Sequence, residues 1–141
     1  MTKLTPEEAF ELGNRVREAV VALHKWRIEN RDHLSRSQWE ELDDREVALL
    51  NFANSNFANG VGMVLDNIQA PLSRLQANIK HAESAVDHIR SFQQALDLAS
   101  ALILFAGAIS SGNPAEIPAS IAALENTVDA IVNPRGPDDA E

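Results

Sequence analysis

The sequence predicts an all-α protein, an antiparallel bundle of four or five helices. Three observations carry that expectation. The chain of 141 residues holds 21 Ala, three Thr and no Tyr, a composition that favours helix over strand. Its apolar residues recur at spacings of three and four, with no strand-like alternation bounded by turn signals. Its few Pro and Gly gather at punctuation points. The length suits one domain. A single bundle is expected over 1–133, followed by a disordered acidic tail over 134–141.

The first helix is expected over 6–30. Thr5 is its N-cap, Pro6 its first residue, and Glu8 stands at the capping-box position. Leu12, Val16, Ala19, Leu23 and Trp26 form one apolar stripe. Residues 32–35 read as a turn. Ser37 and Glu40 form a second capping box, so helix two is expected to begin there and to turn Trp39, Leu42, Leu49, Phe52 and Ala53 inward. Residues 51–60 contain Asn-Phe-Ala-Asn twice, and Asn59-Gly60 with Gly62 ends or kinks the helix.

From Leu65 the pattern is heptad-like: Leu65, Ile68, Leu72, Leu75, Ile79, Ala82, Val86, Ile89, Phe92, Leu96 and Ala99. It reads as one long helix over 62–109, interrupted early by Pro71. A break near Ser91, with Gln94 three residues on, is the alternative. Ser110-Ser-Gly-Asn-Pro114 is the clearest turn, with Gly112 as C-cap and Asn113 as N-cap. A last helix, regular from Pro118, carries Ile121, Leu124, Val128, Ile131 and Val132 to Asn133.

Charge is unevenly spread. Twelve Lys+Arg stand against 21 Asp+Glu, a formal charge of −9. That balance argues against nucleic acid and against anionic membrane surfaces as partners. Residues 91–134 hold no Lys or Arg and only Asp97, Glu116, Glu125 and Asp129. A helical hairpin over 95–132 with so little charge must be covered by other helices, a second copy or a partner. Helices one and two offer one stripe each, so a homodimer is expected, with Leu102, Phe105, Ile109, Ile121, Leu124 and Val128 in its interface.

Signatures of chemistry are sparse. No cysteine is present, which excludes a thiol nucleophile and Cys-based zinc. His81 and His88 lie two turns apart, too far to share one ion, and no HExxH, P-loop, GxGxxG or GxSxG occurs. Asp97 sits alone between two leucines and is expected to point outward. No metal, cofactor or catalytic residue is expected, and Trp26 and Trp39 read as core.

The N-terminus lacks a basic region followed by an apolar one, and the apolar run 98–109 is too short to span a bilayer, so a cytoplasmic location is expected. The expected function is non-catalytic protein binding, as an adaptor or an immunity-type inhibitor. A basic partner would meet the acidic helix face of Glu40, Glu41, Asp43 and Asp44, with Phe52 and Phe57 nearby. The alternative is a membrane-active helical effector using the 95–132 hairpin.

Overall fold

A computed structural model of the chain describes residues 6–54, 72–111 and 116–133. These form a helical bundle of five helices: α1 (Pro6–Glu29), α2 (Arg36–Asn54), α3 (Leu72–Ala85), α4 (Phe92–Ser111) and α5 (Ile117–Val132). Short 3₁₀ turns occupy Arg31–His33 and Val86–His88, and no strand occurs among the described residues. The main packing partners make a closed cycle. α1 lies against α2 and α3, α2 against α4, α4 against α5, and α5 against α3.

The α1 stripe is buried as its spacing demands, from Leu12 through Val16, Ala19 and Leu23 to Trp26. Asn30 ends the helix by donating from its backbone N and its Nδ2 to the Trp26 carbonyl, at 3.0 and 2.9 Å. Helix α2 starts two residues earlier than the Ser37/Glu40 pair predicts. Ser35 Oγ accepts from the Gln38 backbone N–H at 3.1 Å, and Gln38 Oε1 accepts from the Ser35 N–H at 2.9 Å. Both serines have an acid or amide three residues on. Only Ser35 follows the extended Leu34, where the chain turns from one helix into the next.

The heptad seam is divided between two helices. Leu75, Ile79 and Ala82 are buried from α3, Val86 from the 3₁₀ turn after it and Ala99 from α4, while Phe92 and Leu96 are half-buried. Between them the backbone leaves the helical path at Ile89 (φ −68°, ψ 130°). Ser91 then caps α4 by accepting from the Gln94 N–H at 3.2 Å, while Gln94 Oε1 accepts from the Arg90 N–H at 2.7 Å. The Trp26 indole N–H donates to the Ile89 carbonyl at 3.3 Å, so α1 holds the break in place. Periodicity alone does not show the break, because Ile89 and Phe92 continue the same three-and-four spacing across it.

Helix α4 is the most enclosed element. Leu98, Leu102, Phe105 and Ala106 are at most 1% exposed. With α2 on one side and α5 on the other, the apolar inner faces of α4 are covered inside one chain. Leu102, Phe105, Ile121 and Leu124, assigned by the sequence to a dimer interface, are core residues of the single chain. The correction has a plain cause: α1 covers α3, and α2 covers α4. Val128 is half-buried. The side chain of Ile109, Phe57, the second Asn-Phe-Ala-Asn copy, Pro71, the 112–115 turn and the 134–141 tail lie outside the described residues.

Candidate functional site

Helices α1 and α2 meet through a charged cluster that the sequence reading missed. Arg27 follows Trp26 on α1 and is buried with it. Its Nε donates to Glu46 Oε2 at 2.8 Å and its Nη2 to Glu46 Oε1 at 3.0 Å, a bidentate pair with side chains 4% and 7% exposed. Nη2 also reaches Asp43 Oδ1 at 3.1 Å. The guanidinium lies 4.2 Å from the centre of the Trp39 ring, with Arg31 at 5.3 Å from the same ring. Trp39 is therefore half-buried under two arginines and not wholly in the core. His24 Nδ1 completes the cluster, 3.0 Å from Glu46 Oε1 and 2.9 Å from Arg27 Nη2. As Nδ1–H it donates to the carboxylate; without that proton it accepts from the guanidinium.

This cluster divides the acidic patch expected on α2. Glu46 and Asp43 serve the buried arginine, although the Asp43 side chain stays 52% exposed. Glu41 is half-buried. Glu40 and Asp44 project to solvent, one helical turn apart, and Glu40 lies 3.7 Å from Arg36. Val47, 49% exposed, extends the same outer face. The patch thus keeps Glu40, Asp44 and the outer edge of Asp43.

Phe52 stands apart from these carboxylates, at the other end of α2. It lines an apolar groove of about 670 Å³ between α4 and α5, with Ile103, Leu104, Gly107, Ala119 and Ala123 among its walls and Glu116 at its edge. The Phe52 ring lies against α4 at Gly107, where a Cβ would stand 3.4 Å from it, an ordinary van der Waals contact. A second depression of about 370 Å³ continues along the same two helices, sharing Leu104 and Ala123 and reaching Asp97. Asp97 is exposed and accepts from Gln93 Nε2 at 2.8 Å. Leu104 is 60% exposed at the junction of the two halves.

A further cleft of about 410 Å³ separates α3 from α5. His81 and His88 lie along one side, Glu125 and Asp129 along the other, over Leu124 and Val128. Asn78 at its base is 4% exposed, and its Nδ2 has no acceptor among the described residues. Glu125 is 3.8 Å from Arg74, and Asp129 accepts from Asn133 Nδ2 at 3.1 Å. Among the described residues no set of three His, Asp or Glu side chains is arranged to hold a metal ion.

The structure therefore separates residues that the sequence grouped. Glu40 and Asp44 stand at one end of α2, and Phe52 faces the groove at the other. Leu104 and Glu116 were missed. The available signal was that Leu104 on α4 and Ala119 on α5 sit at exposed positions where soluble helices usually carry Lys or Glu. No described helix is long and apolar enough to cross a membrane. No protein-family model, curated protein or solved structure matches the chain.

Proposed function

We propose that this protein is a non-catalytic binding module for a basic protein partner, of the adaptor or inhibitor kind. The observation that carries this reading is the outer face of α2, where Glu40, Asp43 and Asp44 remain at the surface beside the exposed Val47. Residues 36–54 carry five carboxylates against two arginines, and residues 91–134 offer no cation at all. The deeply buried Arg27 of α1 is shared between Glu46 and Asp43, which leaves Glu40 and Asp44 as the carboxylates of this face that it does not reach. Exposed carboxylates of this kind steer a cationic partner and set the rate of encounter more than the lifetime of the complex. A cytoplasmic setting fits the same reading.

The test compares wild type with the Glu40→Lys/Asp44→Lys double variant. Both positions are solvent-facing, and neither touches the Arg27 cluster. The probe is a synthetic amphipathic helix with leucine on one face and lysine at both ends, followed over a salt series. The double variant is expected to associate about tenfold more slowly at low salt, with a flatter salt dependence. Equal on-rates at every salt concentration would remove α2 as the docking face.

A further inference from the structure

We infer that the groove between α4 and α5 seats an apolar helix flanked by lysine or arginine, supplied by the partner. This inference rests on the binding function proposed above and identifies the anchoring surface. The two depressions meet at Leu104 and Ala123 and form one path along the pair of helices. The floor is built from small side chains: Ala101, Ala108 and Ser120 are buried in it, with Gly107 and Ala123 half-buried beside them. A third helix can approach such a floor closely, at the roughly 8–10 Å between axes typical of packed helices. Leu104 projects from the floor at 60% exposure, and the Phe52 ring closes one end against Gly107. Those two are the anchors against which an i, i+3, i+4, i+7 stripe would pack.

Charge selects the occupant. One half of the path carries Asp97 and the other Glu116, and both are exposed. Residues 91–134 supply no Lys or Arg to offset them. A second copy of this chain would bring the same carboxylates to the same face, within a molecule of net charge −9. A symmetric pairing therefore sets like charges opposite each other. An anionic lipid surface meets the same repulsion. A helix with an apolar face and basic ends satisfies the leucine, the small-residue floor and both carboxylates together.

The experiment uses the full chain, isotope-labelled, and the lysine-ended helical peptide. Its control is a peptide of identical composition with the leucines scattered around the helix. The amides of Ile103, Leu104, Ala119 and Ala123 are expected to shift with the helical peptide and not with the control. Leu104→Glu, at an exposed position, is expected to keep the helical circular dichroism and to weaken binding at least about tenfold, through faster dissociation. Asp97→Lys/Glu116→Lys is expected to weaken the same complex without changing the fold. Equal binding of both peptides overturns the groove. So do shifts confined to α2, which would leave the α2 reading standing. Concentration-dependent shifts at Leu104 and Ala123 in the free protein would replace the partner helix with a second copy. Slower association of the α2 variant with unchanged dissociation bears on the function proposed above; faster dissociation of Leu104→Glu bears on the groove.

Discussion

Between α1 and α2 the chain buries a guanidinium and a carboxylate, whereas the interface of α4 and α5 contains apolar and small side chains and no buried charge. The two regions reach low exposure by opposite routes. The Arg27–Glu46 pair must recover the cost of desolvating two ions, and its bidentate geometry, Asp43 and the Trp39 ring supply the compensation. Such a contact is directional and fixes how α1 lies on α2. The Leu98, Leu102, Phe105 and Leu124 packing stabilises by area and shape, at about 25 cal/mol per Å² removed from water. It leaves an outer surface with little charge. A charge-poor segment is therefore not by itself a sign of a missing partner: α2 and α5 occupy two sides of α4 within the chain, and among its described side chains the stripe through Gln93, Asp97 and Leu104 remains open.

The strongest way to break this comparison is to place a charge in the apolar region. Leu102→Glu puts an unpaired carboxylate at a position 1% exposed. It is expected to unfold the chain, seen as lost helical signal and aggregation by circular dichroism and light scattering. A well-folded monomer obtained from a wild-type dimer would instead return Leu102 to an interface between copies.

The next largest effect comes from the charged region. Glu46→Ala strands Arg27 in a buried site and is expected to cost about 3–5 kcal/mol in urea unfolding. The double change Arg27→Met/Glu46→Leu removes both charges, and its stability is expected to lie near wild type or above it. Equal losses in the single and double variants would show that the pair stabilises beyond its own desolvation.

The smallest effects concern the helix starts that frame the two regions. Ser35→Ala beside the charged region and Ser91→Ala at the head of α4 each remove one backbone cap. Each is expected to cost about 1 kcal/mol, and the two losses should add in thermal unfolding because the caps share no partner. A Ser37→Ala variant serves as the control and should change little, since the cap belongs to Ser35.

The single-chain helical class, the stripe of α1 and the inward faces of α3, α4 and α5 were legible because burial repeats with the helical period. Leu12, Val16, Leu75, Ile79 and Leu124 lie where the spacing puts them. The Ser91–Gln94 start was legible as an alternative, since a cap is a local motif. Whether the helix breaks there depends on Ile89 and on an indole from Trp26, 63 residues away. The Arg27–Glu46 pair was hidden for the same reason: charge on a helix reads as solvent-facing until another helix is placed over it. The largest difference lay in the hairpin. Counting charges shows that a surface is covered, but not by what. That was decided by the packing of α2 on α4, a contact between distant stretches of chain that no local pattern encodes. The groove belongs to the same category, because Phe52, Leu104 and Glu116 become neighbours only when three helices meet.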